Sequence, residues 1–430
     1  MPTLEQIDPR VVGLRLAEAR KARGVTQEDA AIALECSRPT LIAIEKGTRP
    51  PKGEELVLLA RLYGQKVSDL VRPGEPLADL QPHLRAVAQQ MKLDDSEVAE
   101  GVAALQRFAE DYLRLERILK VSLPTNYPDV VTIGRGSPVS LAEDVADQER
   151  RRLGVGDQPV IHLRSLLEAE VGLRIAYEGL PSRVAGMFAY SRETGGVILV
   201  NRKHPPERRR ATLLHEYGHL LTDRFKPGID YLHHPGRKPA NERFAEAFAM
   251  AFLMPSTSVR RRFNQIVNES GDFQIADLCR LSHFYSVSVE AMTLRLEGLG
   301  LIPRGVRDHL KESRFEVRRA AQLLNLQQHP VTDGRFPDRY VFLAVQAFDQ
   351  GELSEGELAG LLRCDRVSAR EIVNQYLTTT ELSEEVKFGA FRCRRDARCW
   401  ATSRRHPRNS VDQVSGTARG RQSRRTWTEG

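Results

Sequence analysis

Apolar positions recur at helical spacing along most of the chain, and turn residues between them mark where each helix stops. The pattern predicts five short helices near the amino terminus: Val12 to Arg23, Thr26 to Leu34, Ser37 to Glu45, Lys52 to Tyr63 and Val67 to Val71. Thr26 and Ser37 are N-cap residue types, and each opens an apolar-periodic segment. Between two of these helices, Glu35-Cys36 leaves room only for a tight corner. Pro39 falls in a first turn, where a missing N–H costs little. The run stops at the breaker Arg72-Pro73-Gly74-Glu75-Pro76. A more strongly charged stretch follows with i, i+3, i+4 apolar spacing, and a helical connector is expected over 77–125, closed by Pro124-Thr125-Asn126-Tyr127-Pro128.

The period then changes. Residues 140–179 read as helical and end strand-like at Leu173 to Tyr177. Ala185 to Tyr190 and Gly196 to Asn201 are two further strands, split by the turn residues Glu193-Thr194-Gly195. Long helices follow Pro205-Pro206, so 140–300 is expected to form an α+β domain with a small sheet. Two helical hairpins fill a C-terminal region over 305–380. Residues 387–430 are rich in Arg, Ser, Thr and Gly with little periodicity, and a disordered Arg-rich tail is expected there. The fold class is therefore multidomain and mainly α.

Composition narrows the setting. Hydrophobic residues make up 41% and charged residues 28%, ordinary for a globular protein, and no apolar run reaches the roughly 18 residues of a membrane helix. The opening MPTLEQIDPR lacks the basic and apolar regions of a signal peptide. Five scattered cysteines without a C-x-x-C pair point to a reducing compartment and no thiolate metal site, so a cytoplasmic protein without membrane partners is expected. The net charge of +7 has a local origin. Residues 391–430 hold eleven arginines against Asp396, Asp412 and Glu429, a balance of +8, so the other 390 residues sum to about −1. Overall basicity thus says nothing about nucleic acid, and a DNA-binding reading has to rest on a motif.

Residues 10–72 supply one. Leu14 to Arg20, Thr26-Gln27, Ser37 to Leu41 and Ile44-Glu45-Lys46-Gly47-Thr48-Arg49-Pro50 resemble the helix-turn-helix domains of the XRE and lambda-repressor type. The resemblance implies a lambda-repressor-like five-helix domain that binds double-stranded DNA with its third helix in the major groove. Gln27, Ser37, Arg38 and Thr40 are then the side chains that face bases or phosphates. A helical bundle that binds only protein is the alternative. Domains of the resembled type usually act as dimers, but no sustained heptad in the chain marks a homodimer interface, so the sequence leaves the oligomeric state open.

The most informative stretch is Arg208-Arg209-Arg210-Ala211-Thr212-Leu213-Leu214-His215-Glu216-Tyr217-Gly218-His219-Leu220-Leu221. On a helix whose buried side is Leu213, Leu214, Leu220 and Leu221, His215 and His219 project from one face, one turn apart, able to share a zinc ion. Glu216 adjoins them, placed to take a proton from a water that zinc activates and to return it to a leaving amine. Gly218 leaves room for close approach on the other side. The next helix offers Glu242 and Glu246, four apart on one face; Glu242 is expected as the third zinc ligand and Glu246 as the group that orients a ligand histidine from behind.

Together with the strand Gly196 to Asn201, with Phe248 to Pro255, with Phe284 to Ala291 and with Arg295-Leu296, this pattern resembles the ImmA/IrrE family of zinc metallopeptidases over about 160–300. The resemblance implies a zincin-like domain with a gluzincin ligand set that cleaves regulatory proteins such as repressors. Elsewhere, His233-His234 either compete for the metal or stabilise an oxyanion, or are simply exposed loop residues, the reading that a loop position favours. The strands 185–190 and 196–201 either offer an edge to an extended substrate or lie buried under the metal helices. Leu353 to Leu362 and Val367 to Ile372 have the rhythm of a second helix-turn-helix, read chiefly as a packing or dimerisation element. Two functions fit: a DNA-binding regulator whose zinc endopeptidase domain cleaves a repressor or antitoxin-like partner, or a DNA-binding transcription factor whose zincin-like domain is sensory or structural.

Overall fold

The computed structural model describes residues 8–65, 67–71, 95–225, 228–231, 238–326 and 334–386. Residues 77–94 of the expected connector, His233-His234 and the tail 387–430 lie outside the described residues.

Five helices open the chain: α1 (Pro9–Ala22), α2 (Gln27–Ala33), α3 (Arg38–Glu45), α4 (Gly53–Tyr63) and α5 (Val67–Leu70). Their starts are chemically specified. Thr26 Oγ1 accepts from the Asp29 amide at 3.1 Å while the Asp29 carboxylate accepts from the Thr26 amide at 3.3 Å, a reciprocal capping box. Ser37 Oγ accepts from the Thr40 amide at 3.4 Å. The corner between α2 and α3 turns on Glu35, at φ 50°. Leu16, Leu41, Ile44 and Leu59 fill the core, and a buried ion pair from Arg20 Nε to Glu45 Oε1 at 2.5 Å ties α1 to α3.

Four strands, β1 (Arg174–Glu178), β2 (Val184–Ser191), β3 (Gly195–Asn201) and β4 (Gly228–Tyr231), form one sheet in the order β1-β3-β2-β4. β1 runs parallel to β3, and β2 runs antiparallel to both β3 and β4. β4 was not anticipated: Gly228-Ile229-Asp230-Tyr231 is too short and mixed to show a strand period. β3 is buried along its whole length and β2 along most of it, as helices cover both faces. Of the two readings for this hairpin, the structure therefore takes burial under helices; both long edges of β2 are already paired.

One face carries α9 (Pro206–Asp223), backed by α7 (Pro138–Arg152) and α10 (Ala240–Leu253). The other face carries α6 (Asp95–Ile118). Successive strand residues point to opposite faces, and Gly186 of β2 abuts Glu216 and Thr212 of α9 whereas Met187 reaches Gly101 of α6. Here the expected connector needs correction. A helix with a full apolar stripe has to bury it, and α6 does so, enclosing Leu105, Phe108, Tyr112 and Leu115 against the sheet. Phe336 and Tyr340 close this layer, with ring centroids 5.9 and 5.6 Å from Phe108. Tyr340 lies in the first turn of α16 (Asp338–Asp349), which precedes α17 (Glu355–Leu362) and α18 (Arg366–Val386). Leu358, Leu361, Leu362, Ala369 and Val373 of the helix-turn-helix-like pair are buried, so this segment is a packing element of the same chain. The remaining helices are α8 (Leu163–Leu166), which runs into a π-helical turn (Leu167–Val171), then α11 (Ser256–Ser270), α12 (Ile275–Tyr285), α13 (Val289–Gly298), α14 (Val306–Glu312) and α15 (Val317–Leu323).

A polar network threads the second layer. Glu116 of α6 accepts from Arg174 of β1 at 2.6 Å and from Arg339 of α16 at 2.7 Å. Tyr112 donates to Glu168 at 2.8 Å. Burial pushes the Glu168 carboxyl from its ordinary 4.5 up to about 7, although the Tyr112 hydrogen bond works the other way. Between those two values the folded chain keeps a proton that the unfolded chain has released, so stability falls as pH rises across the window, by about 3 kcal/mol in total, and is level above it. Glu168→Gln keeps an acceptor for Tyr112 without titrating. Its stability relative to the parent protein should therefore rise between pH 5 and pH 7.5 in denaturant unfolding, and a pH-independent difference contradicts the assignment.

Candidate metal centre

The helix α9 is enclosed all round at its centre, beyond the apolar side expected from its leucines. Leu213, Leu214, Tyr217, Leu220 and Leu221 are fully buried, and His215, Glu216 and His219 are buried with them. The i, i+4 spacing turns both imidazoles to the side where α10 arrives. His215 Nε2 and His219 Nε2 lie 3.1 Å apart. Glu242 straddles them, with Oε2 3.3 Å from His215 Nε2 and Oε1 3.3 Å from His219 Nε2. Burial works to raise the Glu242 carboxyl, but hydrogen bonds from His215 and His219 outweigh it and hold the group well below the usual carboxylate range.

Two imidazole nitrogens and a carboxylate are the donor types of hydrolytic zinc sites with three protein ligands. Ligands about 2.0–2.1 Å from one tetrahedral ion stand about 3.3 Å from each other, which is the separation seen between these donors. No other group of three or more His, Cys, Asp or Glu side chains among the described residues is arranged to hold a metal ion. The donor set therefore fits a zinc ion.

Close backbone approach makes this convergence geometrically attainable. A β-carbon on Gly218 would stand 2.9 Å from Ala245 Cα, so α9 and α10 meet where no larger residue fits. A β-carbon on Gly186 would stand 2.7 Å from Glu216 Oε1 and 2.7 Å from Thr212 Cγ2, so the Glu216 carboxylate lies directly against the β2 backbone.

Several residues that hold the centre had no signal in the sequence. Tyr217, between the two histidines but on the reverse face of α9, donates to Glu149 of α7 at 2.6 Å and accepts from Arg152 at 3.1 Å. Its ring meets Phe248 of α10 edge-on at 5.7 Å. The carboxy-terminal end of α10 is capped by two arginines from other helices: Arg150 of α7 donates to the Phe252 carbonyl, and Arg295 of α13 donates to the Met254 carbonyl at 2.9 Å. A charged run such as Glu149 to Arg152 reads as a solvated helix end, and only the tertiary arrangement shows it turned inward.

Glu246 does not take the place expected of it. Its side chain is 46% exposed and ion-paired with Lys238, and a carboxylate turned to solvent is not available to orient a buried imidazole. In the amino-terminal domain, Gln27, Ser37, Arg38 and Thr40 gather at the α2–α3 corner. Gln27 donates to Glu45 Oε2 at 2.9 Å, and Arg38 Nη2 lies 3.5 Å from Gln27 Oε1. The Ser37 and Thr40 hydroxyls are 2.9 Å apart and serve the α3 cap, while Ser37 and Arg38 are exposed.

Residues 11–72 match the family model described as a helix-turn-helix domain, and residues 168–297 match the peptidase M78 model described as an IrrE N-terminal-like domain. Residues 11–72 thus form a helix-turn-helix domain and residues 168–297 an IrrE N-terminal-like domain of the same chain. His215, His219 and Glu242, the candidate metal ligands, lie within the IrrE N-terminal-like domain. Over 65 residues, the chain is 34% identical to the cryptic phage CTXphi transcriptional repressor RstR of Vibrio cholerae, covering 15% of this chain and 59% of the repressor. It thus spans less than two thirds of that curated relative. Among solved structures, ComR from S. thermophilus, in complex with DNA and its signalling peptide ComS, aligns with 85% of this chain and 99% of its own at 13% identity. Its TM-score is 0.17, a likeness that carries no weight for fold or function. No helix among the described residues is long and apolar enough to cross a membrane.

Gly218→Ala inserts a methyl group against the Ala245 backbone of the IrrE N-terminal-like domain. It should destabilise the chain by about 1–3 kcal/mol. Denaturant unfolding measures this, and an unchanged midpoint means the two helices do not meet as closely as described.

Proposed function

We propose that this chain is a DNA-binding transcriptional regulator, acting as a homodimer, whose second domain is a zinc-dependent endopeptidase that cleaves one regulatory protein of repressor or antitoxin-like type. The observation that carries the reading is the convergence of His215 Nε2, His219 Nε2 and the Glu242 carboxylate within 3.3 Å, beside the fully buried Glu216. His215, His219 and Glu242 would hold the zinc. When bound, zinc supplies the positive charge that polarises a peptide carbonyl and acidifies water. Glu216, fixed against Gly186, is the general base that takes the proton of the attacking water and delivers it to the departing amine. A purely structural site has no use for such a carboxylate, which favours chemistry over a sensory or structural role.

For the amino-terminal domain, the match to a protein named as a transcriptional repressor supports double-stranded DNA as the partner of residues 11–72. Arg38 is proposed to reach a base edge or phosphate in the major groove, with Gln27, Ser37 and Thr40 at the same corner. Arg38→Ala should weaken binding to the cognate operator by about 1–3 kcal/mol in a titration at fixed salt. Equal affinity for the two proteins removes Arg38 from the contact.

Two substitutions separate the chemistry from the metal. Glu216→Gln should retain stoichiometric zinc and DNA binding, lose cleavage, and hold the uncleaved partner in a pull-down. Regulation that survives Glu216→Gln intact contradicts the peptidase reading and leaves the sensory one. Glu242→Ala should lower zinc affinity by at least about tenfold; unchanged affinity contradicts its role as a ligand.

A further inference from the structure

One face of α4 packs into the amino-terminal core through Leu56, Leu59, Ala60 and Tyr63. The opposite face is open and carries Glu54, Val57, Leu58 and Arg61, with Val57 38% and Leu58 48% exposed. Glu54 and Arg61 stand two helical turns apart, so they bracket the aliphatic pair along a single stripe. Among the described residues neither charge is engaged in an ion pair, whereas the adjacent Glu55 is held by Arg49 at 2.8 Å.

The stripe is complementary to itself. In a second copy laid antiparallel across a two-fold axis between positions 57 and 58, Glu54 faces the partner's Arg61, and Val57 faces the partner's Leu58. Each contact then occurs twice, and each joins either opposite charges or two aliphatic side chains. We propose that two copies of this chain pair through this face of α4. The inference names the surface of the homodimer put forward above and is independent of the peptidase reading. Exposed ion pairs contribute little, about 0–1 kcal/mol each, and one helix stripe falls short of the roughly 1,200 Å² of a standard interface. The pairing is accordingly weak, concentration-dependent and weakened by salt.

Sedimentation equilibrium of the full chain without DNA tests this over a range of concentrations. The parent protein should associate reversibly. Glu54→Arg and Arg61→Glu each set like charges against one another across the axis, and each should lower the association constant by about tenfold or more. An equimolar mixture of the two variants restores both unlike pairs and should associate at least as well as the parent. The proposal is overturned by a parent protein that stays monomeric at every concentration, by single variants that associate like the parent, or by a mixture that associates no better than its components. Because the measurement involves neither DNA nor proteolysis, such a failure leaves both of those readings standing.

Discussion

Three lone-pair donors crowded within 3.3 Å of one another repel unless a cation or a shared proton lies between them. The sheet and the helices around α9 keep His215, His219 and Glu242 in that position. Apolar burial drives α9 between the sheet and α10, Gly218 allows the two helices to touch, and the Tyr217–Glu149–Arg152 cluster ties the reverse face to α7. Arg150 and Arg295 fix the far end of α10 by satisfying its terminal carbonyls. A tetrahedral ion held there would tolerate only about 0.2 Å of error in its ligand bonds, so the position of α10 against α9 matters to it.

The sheet carries a second helical layer on its other face, and α6 is part of it. Glu116 and Tyr112 of α6 reach Arg174 of β1, Arg339 of α16 and Glu168 of the π-helical turn, so this layer is bonded to the sheet that supports α9. Buried charges of this kind add little net stability but penalise alternative packings, because a displaced partner leaves an uncompensated charge. The second carboxy-terminal hairpin, from α16 on, belongs to this layer: the Phe336 ring stacks on Phe108 and the Tyr340 ring packs against it at a tilt.

How much of this was legible in the sequence depended on the range of the interaction. Caps and spacing are local, so Thr26, Ser37 and the i, i+4 pair His215/His219 placed the helix-turn-helix and one side of the candidate metal site before any tertiary information. Glu242 was reachable because a second acidic helix followed at a suitable distance. The same reasoning misplaced Glu246: spacing put it on the face of Glu242, but whether a position one turn further on still faces the histidines depends on how the two helices cross. β4 escaped because four mixed residues carry no period. The role of α6 escaped because an amphipathic stripe shows that a helix is buried without showing against what. Tyr217 and Glu149 lie 68 residues apart in sequence, and nothing local links them.

X-ray absorption spectroscopy at the zinc edge, combined with metal analysis of the purified full-length chain, tests the central claim most directly. The account predicts one zinc per chain in a shell of nitrogen and oxygen donors, with two imidazoles and no sulfur. A chain that retains no stoichiometric zinc, or zinc whose shell contains cysteine sulfur, contradicts it.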